Sequence, residues 1–173
     1  MLGHGAAGGV GARDLVAVTD VALAERVCVV LVEQPYRVAG RRSPAPARQL
    51  DAAWTAVIDE LRDTELRGLP LLVGGRSSGA RVACRTAGET GAVGVLCLAF
   101  PLQPPKGPSR LAELEAVTVP VLVVQGARDR FGMPPAAPGR TVVQVASDHG
   151  LKTDLHAVAD AVRAWLTAVL EDL

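Results

Sequence analysis

The sequence is poor in aromatic residues, histidine and cysteine, and it carries no excess of charge of either sign. Aromatic side chains make up 3% of the 173 residues, and there are three histidines and three cysteines. Lysine plus arginine and aspartate plus glutamate number 18 each, so the formal net charge is zero. A balanced chain without a basic stripe is not typical of proteins that bind nucleic-acid phosphates. We therefore predict no nucleic-acid partner.

Long apolar segments are missing as well. The longest apolar runs of the chain fall well short of the ~18 residues that a membrane-spanning helix requires. The first residues also lack a charged region followed by an apolar segment, which is the pattern of a secretory signal. We expect neither a membrane partner nor a secretory signal.

The few cysteines and histidines limit the possible chemistry. Cys28, Cys84 and Cys97 are odd in number and lie within apolar runs, which predicts buried, free thiols in a reducing compartment, with the cytoplasm as the default. The histidines are widely spaced and there is no C-x-x-C pair. Neither a metal site nor a cofactor is therefore predicted.

The chain alternates short apolar runs with segments of helical period. Its length suits a single domain, which we predict to span residues 1–173. Continuous apolar runs predict strands that are covered on both faces, at residues 27–32, 71–73, 93–98, 121–124 and 141–145. Apolar residues at helical spacing predict helices, at residues 13–26, 49–66, 78–87 and 154–171, the third closed by Gly88. This alternation indicates an α/β fold with a parallel sheet and helices on both faces.

One loop after a strand has the pattern of a nucleophile turn. Gly75-Arg76-Ser77-Ser78-Gly79 fits G-x-S-x-G, a sharp strand-to-helix turn that exposes a serine at the end of a sheet. Ser77 is preferred over Ser78 because this turn requires small residues two positions before and after the nucleophile. Arg76 is expected to face solvent.

Two further residues follow later strands in the order that a serine hydrolase requires. Asp129 follows the run at 121–124, and His149 follows the run at 141–145. Parallel strands place ligands at their carboxyl ends, so we predict that Ser77, Asp129 and His149 form a catalytic triad. Asp148 is the rival partner of His149, but it is expected to cap the following turn.

Two other glycine patterns suggest nucleotide binding. Residues 3–8 satisfy G-x-G-x-x-G, and Glu33 ends the next predicted strand, but only Met1 and Leu2 precede the motif where a full strand is required. Gly74 and Gly79 begin a P-loop pattern, but Ala80 and Arg81 replace its lysine and hydroxyl residue. The dinucleotide interpretation stays open as a minor alternative, whereas the P-loop interpretation fails.

With these motifs the sequence resembles the α/β-hydrolase superfamily. Within it, the chain resembles a small lidless group related to the dienelactone hydrolases, a group that includes a subunit of the NSL chromatin complex and a testis-expressed protein. The resemblance rests on residues 3–6, 33–42, 74–81, 125–132 and 148–152. It implies a mostly parallel sheet of about six strands without a cap domain, and an oxyanion hole formed by the N–H groups of Ala6 and Ser78.

The resemblance also implies an unusual N-terminus. Two strands and most of a third usually precede the His-Gly loop in this superfamily, whereas only Met1 and Leu2 precede it here. The N-terminal strands are therefore expected to be missing or truncated, either because translation starts upstream, which we favour, or because that edge of the sheet has been lost.

The function expected is carboxylesterase-like hydrolysis of small or exposed esters. Residues 101–120, where such proteins carry a lid, have room for only one short helix at 111–117. The alternative, which the same fold permits, is a catalytically inactive interaction or scaffold protein.

Overall fold

Six parallel strands form one sheet, and the computed structural model describes all 173 residues of the chain. The strand order is β2-β1-β3-β4-β5-β6. The strands are β1 (Leu2–Gly3), β2 (Leu31–Val32), β3 (Leu72–Arg76), β4 (Gly94–Leu98), β5 (Val121–Gly126) and β6 (Arg140–Val145). The predicted α/β class and the parallel sheet of about six strands are confirmed.

Six helices connect and cover the strands. They are α1 (Arg13–Ala24), α2 (Pro35–Val38), α3 (Ala47–Arg62), α4 (Ser78–Thr86), α5 (Leu111–Glu115) and α6 (Leu155–Glu171). Only α5 lies in residues 101–120, so no cap domain covers the sheet, as predicted. The one-turn helix α2 was not predicted, because four residues are too few to show a helical period.

Alternate residues of the central strands face two separate cores, which is why their runs are continuously apolar. Val95 and Cys97 of β4 pack with helices α3, α4 and α5 on one face. Leu96 and Leu98 pack with α1 and α6 on the other face. None of the helices combines the length and the hydrophobicity needed to cross a bilayer.

The edge strand β2 is shorter and more exposed than predicted. Only Leu31 and Val32 pair with the neighbouring strand, because β1 offers just Leu2 and Gly3 as partners. Cys28 is exposed, whereas Cys84 and Cys97 are buried, and all three thiols are free. The prediction of a buried thiol is therefore wrong for Cys28, since no strand covers this edge.

The end of α4 also differs from the prediction. The helix ends at Thr86, and the chain continues in a turn in which the Thr90 N–H bonds the Thr86 carbonyl. Gly91, with φ +56°, is the glycine in the left-handed region there, and Gly88 is not.

The start of α4 lies in close contact with β1. A Cβ atom at Gly75 or at Gly79 would clash with the carbonyl oxygen of Gly3, which is backbone and has little freedom to move. The two glycines of the G-x-S-x-G motif are therefore required by the close packing of β1, β3 and the start of α4. This contact places the residue between them, Ser77, at the carboxyl end of the sheet.

We predict that Gly79→Ala lowers the free energy of unfolding by about 3 kcal/mol, because the new methyl group must displace main-chain atoms in a packed core. Gly88→Ala is the matched control, since a Cβ atom at Gly88 meets nothing within 4 Å and is expected to change stability by less than about 1 kcal/mol. Urea denaturation of both variants measures the difference. Equal stabilities would contradict the close-contact explanation.

Candidate functional site

The candidate site lies at the carboxyl edge of the sheet, where four loops meet. Residues 4–6 follow β1, Ser77 follows β3, Asp129 follows β5, and His149 lies beyond β6. Because all the strands are parallel, their carboxyl ends share one edge. The topology alone therefore brings these distant residues to the same side of the molecule.

Ser77 has a backbone conformation that is rare for a residue with a side chain. Its φ is +51° and its ψ is −105°, and the Ser77 N–H donates a 2.8 Å hydrogen bond to the Leu98 carbonyl. Such strain persists only where the surrounding structure enforces it, and it is common at functional sites. The sharp turn raises the hydroxyl above the sheet.

The hydroxyl of Ser77, the imidazole of His149 and the carboxylate of Asp129 form a continuous hydrogen-bonded chain. His149 Nδ1 lies 2.8 Å from Asp129 Oδ2, and His149 Nε2 lies 3.0 Å from Ser77 Oγ. The carboxylate accepts the Nδ1–H, which leaves Nε2 free to accept the serine proton. The structure thus brings together the three residues that the sequence analysis selected.

The side chain of Asp129 is fully buried, with an exposure of 0%, and its two oxygens are held by neighbours. Oδ1 accepts the Phe131 N–H at 2.9 Å, and Oδ2 accepts a 2.8 Å hydrogen bond from Gln125 Nε2. Gln125 lies within β5, and its Nε2 also lies 3.0 Å from the Phe100 carbonyl and 2.9 Å from the Gly132 carbonyl, so its two N–H groups are shared among three acceptors. These donors orient the carboxylate toward His149.

Two residues of the cavity wall have a backbone N–H group without an acceptor inside the protein. The N–H groups of Ala6 and Ser78 make no hydrogen bond to any protein atom, and both residues line the cavity that contains Ser77. Ser78 is the first residue of α4, where N–H groups lack intrahelical partners. These are the two residues that the resemblance to α/β-hydrolases implied.

His4 holds the loop that carries Ala6. Its Nδ1–H donates to the Gly5 carbonyl at 2.8 Å, and its Nε2 accepts the Gln34 N–H at 2.9 Å. This pair of bonds requires the neutral imidazole with its proton on Nδ1. His4 is fully buried, so it anchors the loop and is not available for proton transfer.

Arg76 was expected to face solvent, but most of its side chain is buried. Its side chain is 12% exposed, and Nε lies 3.0 Å from Asp14 Oδ2, as an ion pair whose N–H is not aligned for a hydrogen bond. Nη2 donates to the His149 carbonyl at 2.8 Å. Burial raises the pKa of Asp14, while the charge of Arg76 opposes that rise. Arg76 therefore links α1 to the loop that carries His149.

Asp148 and the glycine-rich loop at residues 3–8 have structural roles beside the site. Asp148 is exposed and accepts the Gly150 N–H at 2.8 Å, so it caps a turn as predicted. Helix α1 begins at Arg13, well after Gly8, whereas a dinucleotide motif opens directly into its helix. Gly5 instead packs against Arg76 and Ser77, so the glycine-rich loop serves the turn at Ser77.

A cavity of about 260 Å³ opens beside the site. Phe131 lies on its wall and packs edge-on against the His149 ring, with ring centroids 4.5 Å apart. Together, the residues of the site can transfer a proton from the Ser77 hydroxyl to the His149 imidazole. The free N–H groups of Ala6 and Ser78 lie beside this pair. These are the elements required for nucleophilic attack on a carbonyl carbon.

Sequence comparison identifies the family. A model of the family described as an alpha/beta hydrolase domain matches residues 1–164. The chain belongs to this family. A search of the curated proteins found no match.

Solved structures share the fold at low sequence identity. A hydrolase of the alpha/beta superfamily from Xanthomonas campestris pv. campestris has a TM-score of 0.72 at 19% identity, with 96% of each chain covered. Est1E from Butyrivibrio proteoclasticus, solved with ferulic acid bound, has a TM-score of 0.78 at 15% identity, over 98% of this chain and 88% of that chain. A serine hydrolase without a lid from Xanthomonas campestris has a TM-score of 0.73 at 18% identity, over 95% and 82% of the two chains.

We predict that Arg76→Met lowers the free energy of unfolding by about 2–4 kcal/mol, because it leaves the buried carboxylate of Asp14 without a counter-charge. The deficit is expected to shrink as the pH falls, since protonation of Asp14, whose pKa burial already raises, removes the unpaired charge. Urea denaturation at a series of pH values measures both effects.

The double variant Arg76→Met with Asp14→Asn is the control for this prediction. It removes both charges and is expected to recover part of the lost stability without the dependence on pH. A single variant as stable as the unmodified protein would show that the ion pair contributes nothing.

Proposed function

We propose that this protein is a serine hydrolase that cleaves small or exposed carboxylic esters by acyl transfer. The observation that carries the proposal is the hydrogen-bonded chain from Ser77 through His149 to the buried Asp129, with distances of 3.0 Å and 2.8 Å. The strained turn at Ser77 supports it, because that conformation is the signature of a nucleophile elbow.

In the proposed mechanism, Ser77 Oγ attacks the ester carbonyl while His149 Nε2 removes its proton. Asp129 keeps the imidazole in the tautomer with Nδ1 protonated and stabilises the imidazolium that forms. His149 then gives the proton to the departing alcohol, leaving an acyl group on Ser77. A water molecule, deprotonated by His149, releases the acid and restores the serine.

The oxyanion that forms in each step would be bound by the N–H groups of Ala6 and Ser78. Both are free of protein acceptors, so binding costs no internal hydrogen bond. A donor in such a position typically contributes ~10²–10³ to the rate. His4, which is buried and fixed in one tautomer, would keep the Ala6 loop in place.

We also propose the subgroup of α/β-hydrolases to which the protein belongs and its setting in the cell. Pro35-Tyr36 followed by residues 40–42 supports a place in the lidless group related to the dienelactone hydrolases. Three free thiols support a reducing, cytoplasmic setting. The competing hypothesis, an inactive scaffold with this fold, predicts that the serine is unreactive.

We predict that a fluorophosphonate probe labels the protein at Ser77, and that Ser77→Ala abolishes labelling and lowers ester hydrolysis by about four orders of magnitude or more. Ser78→Ala is the matched control, since it removes the adjacent hydroxyl and keeps the backbone N–H of the proposed oxyanion hole. Mass spectrometry and hydrolysis of 4-nitrophenyl acetate measure the two effects. Folded protein that is neither labelled nor active would favour the scaffold hypothesis.

We also predict that kcat/KM is higher for acetyl and butyryl esters than for long-chain acyl esters. No cap domain encloses the cavity of about 260 Å³ beside Ser77, so a long alkyl chain would remain largely in water and gain little from burial. A series of 4-nitrophenyl esters of increasing chain length tests this. A marked preference for the long chains would contradict it.

A further inference from the structure

The cavity beside Ser77 has a cationic wall. Three of its 12 lining residues are arginines, Arg81, Arg85 and Arg110, and none is acidic. The chain as a whole has 18 basic and 18 acidic residues, so the one-sided wall does not follow from composition.

Two of these arginines are already paired with carboxylates that do not line the cavity. Arg81 forms a bidentate pair with Glu113, at 2.9 and 2.6 Å. Arg85 forms one with Asp51, at 2.8 and 2.6 Å, and also contacts Glu113 at 3.3 Å. Bidentate pairing holds both guanidinium groups rigidly.

Arg110 has no such partner. Its Nη1 donates to the Pro101 carbonyl at 3.0 Å, and no carboxylate lies within ion-pair distance. A guanidinium has five N–H donors, so most of its hydrogen-bonding capacity is unused. Burial lowers the pKa of Arg110, and the charges of Arg81 and Arg85 lower it further, while the charge of Glu113 opposes this shift.

The three arginines of the cavity wall and their two carboxylate partners carry one net positive charge. Asp51 and Glu113 together neutralise two of the three arginines, and Arg110 is the one without a contact to either. A ligand with a single negative charge would balance the cluster. A carboxylate fits this count better than a phosphate monoester, which carries nearly two charges at neutral pH.

The position of His149 shows which part of an ester would enter the cavity. In the proposed mechanism His149 protonates the leaving alcohol, so the alcohol portion must depart on the His149 side. His149 does not line the cavity, whereas Ser77 and Ser78 do. The cavity would therefore hold the acyl portion, which stays bonded to Ser77 after the alcohol leaves.

The spacing along α4 sets the length of that acyl portion. Ser77, Arg81 and Arg85 are four residues apart, so they follow one face of the helix at intervals of roughly 6 Å. The arginines thus begin about one helical turn from the nucleophile. An acyl chain of several carbons would carry its far end into their field.

We propose that the protein prefers esters whose acyl chain ends in a carboxylate, and that Arg110 is the residue that pairs with this carboxylate. The proposal rests on the proposed function, since it assigns the substrate class of the same site. Arg41 and Arg42, which are exposed, line an adjoining cavity that also contains no acidic residue. They extend the positive field through which an anionic ester would approach.

The test compares two esters that differ in charge by one methyl group, the mono-4-nitrophenyl ester of adipic acid and the neutral diester in which the free carboxylate is methylated. The adipate chain is used because shorter half-esters expel the phenol by attack of their own carboxylate. We expect kcat/KM to be about tenfold higher for the anionic ester, the contribution of one charge-assisted hydrogen bond. Arg110→Gln is expected to remove this preference, by lowering kcat/KM for the anionic ester about tenfold more than for the neutral ester.

Two variants control for loss of charge and loss of fold. Arg67→Gln removes an exposed arginine before β3, at the opposite edge of the sheet, and is expected to keep the preference. Arg110→Lys keeps the positive charge and is expected to restore part of the preference. Thermal unfolding confirms that each variant is folded.

A binding measurement separates this proposal from the proposed function. Titration of the Ser77→Ala variant, which cannot cleave the ester, with monomethyl adipate, followed by calorimetry, is expected to show binding that the further substitution Arg110→Gln weakens about tenfold. Binding without hydrolysis of either ester would support the carboxylate site and overturn the hydrolase. Equal hydrolysis of both esters, or a preference that survives Arg110→Gln, would overturn the carboxylate site and leave the hydrolase standing.

Discussion

The close contact of α4 with β1 is the constraint on which the rest of the site depends. The Gly3 carbonyl leaves no room for a side chain at Gly75 or Gly79, so the helix can begin directly against the sheet. This contact forces Ser77 into its strained turn with φ +51°. It also brings the loop after β1 beside the serine, so one packing arrangement positions both the hydroxyl and the neighbouring N–H donors.

Around this contact, buried polar groups set the orientation of each reactive side chain. Gln125 holds the carboxylate of Asp129, Arg76 bonds the carbonyl of His149, and His4 fixes the loop that carries Ala6. Such groups are costly to leave without partners, so each resists rotation away from its bond. These buried hydrogen bonds therefore fix the geometry of the site before any ligand binds. Electrostatic stabilisation is most effective under this condition.

Features that depend only on neighbouring residues could be predicted from the sequence. Continuous apolar runs marked the strands, and the requirement for small residues on both sides of the turn distinguished Ser77 from Ser78. Arg76 and Gln125 could not be assigned, because their roles depend on partners that only the folded chain brings near. Arg76 is the last residue of β3 and meets Asp14 of α1, and Gln125 resembles any strand residue. Cys28 was misjudged because an apolar run does not reveal which strand lies at the edge.

Helix α4 begins directly after Ser77 and carries Arg81 and Arg85 along its length, so one helix separates two properties that we propose for the protein. The backbone at the start of the helix would determine where the proposed reaction takes place. The side chains farther along, together with Arg110, would select substrates by their length and charge. Natural variation at these side chains would then change the compounds that are accepted while Ser77 stays in place.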